Sequence, residues 1–290
     1  MPNFDDLLDP QQSQEAPTVP EQPIDKEAWA AHKKEQREGL YALADSTALD
    51  VTADPDRFAQ YLDTQARFDR YSATNALLVL AQRPDATRLG DLDHWKRERV
   101  FIKPDEMKNA ILILAPGKDY YRDDGSVGTN VDVKRVYDMS QAERPRLQPE
   151  PKYDDRALVR ALVNAVPVPV EGVDDLGGQD ARYSPEQGKI LVQRGMNAPA
   201  IVCAVAREAC SVPFSGKENA EFDTYASAYL ICKKFGVDTQ DLNLYDAPQR
   251  FEGMEARDVR DALSGIRAAA GEIAGRMVDN LPKREVEARS

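Results

Sequence analysis

Histidine is nearly missing from this chain: His32 and His94 are the only two in 290 residues. Chemistry that needs paired imidazoles is therefore excluded from everything beyond residue 94. Cysteine is scarce as well. Cys203, Cys210 and Cys232 make neither an even disulfide framework nor a Cys-x-x-Cys pair, which points to a reducing, cytoplasmic setting. No apolar run approaches the roughly 18–20 residues that span a bilayer, so no membrane partner is expected. The opening MPNFDDLLDP is acidic and lacks the basic start of a secretory signal. Positive charge is in deficit too, with a formal net charge of -12. That balance argues against a chain that clings to nucleic acid through bulk electrostatics.

The deficit is uneven. Residues 1–54 carry 4 Lys and Arg against 12 Asp and Glu, whereas residues 55–146 carry 16 against 15. Residues 147–290 return to an acidic balance, 18 against 23. The middle block is the only one that phosphate would not repel.

Five prolines among Gln and acidic residues make 1–24 too poor in apolar surface to order, so a disordered tail is expected there. Asp25 is a candidate N-cap for a helix running to about Asp45, with Trp29, Leu40 and Leu43 among charges. After Pro55, Phe58, Tyr61, Leu62 and Gln65 recur at helical spacing. Another helix is expected from Ser72 to Gln82, stopped by Pro84. Three short β-like runs follow, at 100–102, 111–114 and 131–133, with a loop or hairpin tip at Asp124-Gly125 and Gly128. Prolines 145, 149 and 151 mark a linker at 147–153. Beyond it the pattern gives a helix capped by Asp154 or Asp155, a hairpin at 181–192, helices at 198–212, 217–235 and 254–280, and a fraying tail. The reading is α+β in two domains, at 25–146 and 154–282: a helix-plus-small-sheet unit, then a mainly helical one with a short hairpin.

Within 68–141 an ordered set stands out: Tyr71-Ser72, Asn75, Leu77-Leu78, Gln82, Pro84, Ala86-Thr87, Trp95-Lys96, Ile113-Leu114-Ala115-Pro116, Val136-Tyr137-Asp138 and Gln141. Together these resemble the N-terminal domain of the ArdC-type antirestriction proteins of mobile elements. The resemblance implies a single-stranded DNA-binding module in a protein that shields entering DNA from restriction. The chain departs from that family at Arg97–Pro104, where a Gly-Arg-x-Val-x-x-Gly turn is usual and the glycines are absent. Single-strand binding needs aromatic faces for bases and cations along the backbone track. The candidates are Tyr71, Asn75, Gln82, Arg83, Arg88, Trp95, Lys96, Arg97, Arg99 and Lys103. Trp95 reads equally as a core residue, Asn75 and Gln82 as structural amides on one helical face, and the cations as a solvated mixed surface.

The stretch Tyr229–Thr239 with Asp241 and Tyr245, the helix around Ile266-Arg267 and Ile273, and the hairpin at 183–192 resemble the zincin-like metallopeptidase domain that follows this module in relatives. That family's active helix carries His-Glu-x-x-His, two ligands on one face with a glutamate to activate metal-bound water. Here the aligned residues are Arg207-Glu208-Ala209-Cys210-Ser211. Glu208 holds the general-base position, Arg207 and Ser211 replace the histidines, and Asp223 falls at the third-ligand position. No catalytic residue, metal or cofactor is expected from that set. Cys203 and Cys210 lie about 10 Å apart along a helix, too far to share a zinc, and all three cysteines read as buried apolar residues. Charge replacement suggests that Arg207 pairs with Asp223, or with Glu208, across the emptied site.

The leading expectation is a single-stranded DNA-binding accessory protein with a catalytically inactive second half, partnered by single-stranded DNA and by a restriction or other DNA-processing protein. The alternatives are a zinc peptidase with an atypical site and a protein-interaction or DNA-mimic module.

Overall fold

A computed structural model describes residues 26–121, 125–146, 153–217 and 219–281. The tail at 1–24, the Asp25 cap, Asp124 of the hairpin tip, nearly all of the linker and the residues after 281 lie outside these. The architecture is α+β, with two three-stranded sheets among helices in the described residues. Among the described residues no helix is long and apolar enough to cross a membrane.

The first helix, α1 (Lys26–Thr52), runs a full two turns past the expected end near Asp45. Leu40, Ala44, Ala48 and Val51 keep one buried face going at helical spacing, so nothing stops it before Thr52. Asp54 caps α2 (Pro55–Arg67) by accepting from Arg57 N at 3.0 Å, and Pro55 fits the first turn, where no N–H partner is needed. Ser72 caps α3 (Ala73–Gln82) in the same way through Asn75 N.

The first sheet joins β1 (Leu89–Gly90), β2 (Ile111–Tyr121) and β3 (Val127–Asp138) in the order β1-β3-β2, and β2 pairs antiparallel with β3. A short helix, α4 (Leu92–Arg97), is capped by Asp91. The run at 100–102 is not a strand. It makes only an isolated bridge between Ile102 and Ala142, and Pro104 directly beyond cannot donate to a ladder.

Asp138, at the end of β3, is a buried hub. Its carboxylate accepts from Thr87 N at 2.7 Å, Arg88 N at 2.8 Å and Ser140 N at 2.8 Å. Burial pushes its carboxyl pKa up, but the hydrogen bonds from Ser140, Arg88 and Thr87 outweigh that and hold it below the usual value. A depressed folded-state pKa gives stability that is present above the unfolded value of about 3.9 and lost as pH falls through the folded one. The urea midpoint is therefore expected to drop on acidification below about pH 4, and Asp138→Asn should lower it at neutral pH and flatten that acid limb.

The second segment contributes α5 (Asp155–Ala165, capped by Asp154), a sheet and four further helices. The sheet has order β4-β6-β5, from β4 (Val170–Val173), β5 (Ala181–Ser184) and β6 (Lys189–Gln193). The expected hairpin is β5–β6. The strand β4, parallel to β6, carries no sequence signal beyond its valines. Then come α6 (Ala198–Ser211), α7 (Ala220–Lys234), α8 (Ala247–Phe251) and α9 (Ala256–Asn280). Gly236 ends α7 with a left-handed φ of 71°, a conformation that costs a side chain with a Cβ.

One hydrophobic cluster takes Ala48, Phe58, Leu62 and Leu77 from the first three helices, with Leu162, Val205, Ile231 and Leu263 from the second segment. Polar ties reinforce it. Tyr229 Oη donates to Asp63 at 2.7 Å, Lys234 pairs with Asp69 at 2.6 Å, and Arg267 donates to the Asp69 carbonyl at 3.0 Å. The helices on both sides of residues 147–152 thus share a core.

Candidate functional site

Two clefts bear on function. The first, about 800 Å³, opens between α1, the α2–α3 turn, the start of α4 and the β2–β3 hairpin. Tyr41, Arg70, Tyr71, His94, Arg97 and Lys134 line it. Tyr71 is half-buried and stacks on Phe68, with centroids 5.8 Å apart and planes 16° from parallel. Burial, and then the Asp91 carboxylate, push its phenol pKa up, so the ring is a neutral, oriented face. Lys134 pairs with Asp91 at 2.6 Å, and that bond is the main reason the Asp91 carboxyl lies below its usual value. Arg70 and Arg97 are exposed at the rim. Gly90 is required on the wall, because a Cβ there would come within 2.3 Å of the His94 ring.

Of the ten residues the sequence nominates, this cleft gathers only Tyr71, Asn75 and Arg97. Three of the ten are committed to internal hydrogen bonds. Trp95 is 1% exposed, and its Nε1–H donates to the Tyr137 carbonyl at 3.0 Å, so its ring offers no face to a base. Asn75 and Gln82 serve the outer edge of β2. Asn75 donates to Leu114 O at 2.7 Å and accepts from Leu114 N at 2.9 Å, while Gln82 does the same for Leu112 at 2.9 Å each way. Two amides on α3 thus replace a missing neighbour strand and satisfy an edge that would otherwise be open.

Arg83 reaches Glu106 and Ser140, and Arg88 pairs with Glu98 while lying over the Trp95 ring. Lys96 and Arg99 are exposed and Lys103 is half-buried, all off the cleft. Arg99 takes a left-handed φ of 56° at the bend just after α4. Sequence reasoning missed Tyr41, Arg70, His94 and Lys134 as a group. Arg70, next to Tyr71, was within reach of it; Tyr41 and Lys134 arrive from other elements and carry no local signal.

The second cleft, about 820 Å³, lies where β5 faces α6 and α7. Arg182, Tyr183, Arg207, Glu208, Ser211 and Tyr225 border it. The Glu208 carboxylate is occupied on both oxygens. It accepts from Tyr183 N at 2.8 Å and from Arg207 Nε at 3.2 Å. The Arg207 guanidinium also sits over the Tyr225 ring at 5.8 Å. Ser211 Oγ donates to the Glu208 carbonyl at 2.7 Å, as helical hydroxyls do.

The expected pairing of Arg207 with Asp223 does not form, whereas its alternative, Arg207 with Glu208, does. Asp223 is claimed by Arg250, which donates through Nε at 2.8 Å and Nη2 at 3.0 Å. That bidentate fork holds the Asp223 carboxylate toward Arg250. Among the described residues no three His, Cys, Asp or Glu side chains converge as a metal set would. Arg207, Ser211 and an Asp223 carboxylate engaged by Arg250 are not a donor set that fits a zinc ion. Of the three cysteines expected to be buried, Cys210 and Cys232 are, whereas Cys203 is only half-buried.

No family model and no curated protein matches the sequence. The fold is similar to that of a plasmid antirestriction protein. The crystal structure of the antirestriction ArdC protein from the R388 plasmid, in its metal-free form, overlaps 73% of this chain and 87% of its own at 13% identity and a TM-score of 0.48. The Mn(II)-bound structure of the same protein overlaps 72% and 84% at 14% identity, again with a TM-score of 0.48.

Proposed function

We propose that this protein binds single-stranded DNA in the cleft beside Tyr71, as an antirestriction-type protein of a mobile element whose second half is a non-catalytic scaffold. The supporting observation is the cleft itself. It is large enough for a nucleotide or two, walled by an oriented tyrosine and rimmed by the exposed cations Arg70 and Arg97. Aromatic faces with flanking cations suit bases and phosphates without demanding a sequence. The non-catalytic reading of the second half is supported by the lack of any histidine beyond residue 94, with Arg207 and Ser211 where the resemblance would put two imidazoles and Asp223 held by Arg250.

Fluorescence polarisation of the full chain with a short labelled single strand tests the binding. Affinity is expected to fall with salt. Tyr71→Ala should weaken binding by about 1–3 kcal/mol, and Arg70→Ala with Arg97→Ala should flatten the log–log salt slope by about 0.7 for each phosphate no longer neutralised. No binding at low salt would favour a protein-interaction role instead. Stoichiometric zinc that disappears in Glu208→Gln would overturn the non-catalytic half.

A further inference from the structure

The β2–β3 hairpin continues past the first cleft, whose lining ends at Pro116 on one strand and Thr129 on the other. Along β3 alternate residues share a face, so Gly128 lies on the side that carries Lys134 and Val136. Up to Pro116 the odd-numbered residues of β2 sit opposite that face, as Ile113 does to Lys134. The register then shifts. Pro116 pairs with Val131 and Asp119 with Thr129, three steps on β2 against two on β3, so β2 holds one extra residue. Gly117 lies in the shift, where a Cβ would come within 2.7 Å of the Asp132 carboxylate. A bulge of this kind re-aims the side chains beyond it. Here it sets Tyr120, and not Tyr121, opposite Gly128.

The missing side chain at 128 gives that ring a seat. A Cβ on Gly128 would come within 2.5 Å of Tyr120 Cζ, so the ring lies against the glycine. Gly128 is buried, while Tyr120 stays 41% exposed. Tyr121 is 83% exposed, but as the next residue along the strand it belongs to the other face.

We propose that Tyr120 is a second base-stacking platform for single-stranded DNA, so that a strand leaving the Tyr71 cleft runs outward along the hairpin. This rests on the Tyr71 reading and adds to it the length and direction of the site. Gly128 is six residues from Lys134 on β3, or about 20 Å along the strand. A ring seated before the ligand arrives loses little freedom on binding, and every base has a face to lay on it. The Asp119 carboxylate, which would repel a phosphate, is on the opposite face, where it accepts from Thr129 Oγ1 at 2.6 Å.

Fluorescence polarisation of the full chain with labelled oligothymidylates of about 4 to 16 nucleotides tests this. Tyr120→Ala should weaken binding of the longest strand by about five- to a hundredfold, as loss of one stacked base does, and leave the shortest strand that binds unchanged. Tyr71→Ala should weaken both. Tyr120→Trp should retain affinity, and Gly128→Val, which pushes the ring off its seat, should reproduce the loss. Tyr121→Ala should change nothing. Tyr120→Thr keeps a strand-forming residue and replaces the alanine variant if circular dichroism shows the hairpin loosened. Tyr120→Ala binding as well as the unaltered chain at every length would sink the hairpin subsite and leave the Tyr71 cleft standing. An equal loss on the shortest strand, or as large a loss in Tyr121→Ala, would also overturn it. An unaltered chain that binds no strand removes the Tyr71 reading and this one with it.

Discussion

Asp223→Asn is expected to cost about 3–5 kcal/mol of stability, because it strands the Arg250 guanidinium inside the protein. The Asp223 and Arg250 side chains are 9% and 11% exposed, so water cannot take the place of the missing charge. Arg250→Ala should be comparably damaging from the other side. Replacing both partners with apolar residues of similar volume, as in Asp223→Leu with Arg250→Met, should recover most of the loss, since the desolvation of both ions is then removed as well. Urea midpoints of the two single variants and the double variant form a cycle that isolates the pair. Equal additive losses, with no recovery in the double variant, would mean that packing and not charge holds this corner. The result also bears on the second cleft. Asp223 would then be a structural residue that holds Arg250 beside that cleft.

Trp95→Ala carries the second large effect, also about 3–5 kcal/mol, from the cavity left by a fully buried ring. The Tyr137 carbonyl loses its indole donor in the same change. Trp95→Phe separates the two contributions. It keeps most of the volume and should cost about 1–3 kcal/mol, mainly for the orphaned carbonyl. The decisive readout is binding. At a temperature where Trp95→Phe is folded, its affinity for a labelled single strand should equal that of the unaltered chain, whereas Tyr71→Ala should weaken it. Loss of affinity in Trp95→Phe without loss of structure would return the tryptophan to the interface.

Helix caps and stops were the most legible features. A helix starts after Ser72, Asp154 caps another, Gly236 ends a third, and the hairpin at 181–193 forms. These are short-range features, each set by a few adjacent residues. What stayed hidden depends on distant partners. Nothing local tells that Arg250, 27 residues downstream, will claim Asp223. Nor does spacing reveal that Asn75 and Gln82 serve a strand edge 30 to 39 residues away. The aromatic-and-cation cluster around Trp95 was visible as composition, but composition does not tell which ring turns inward. The cleft is assembled instead from Tyr41, Arg70, Tyr71, His94 and Lys134, which four separate elements bring together.

The hydrophobic cluster that joins helices from both sides of residues 147–152 has a cellular consequence. Proteases and chaperones act on the opened fraction of a chain, and about 1–2 kcal/mol of destabilisation can change abundance several-fold. Because that cluster takes side chains from both segments, a lesion at Asp223 is expected to loosen the helices before residue 147 as well. Turnover of the two segments is then expected to rise together.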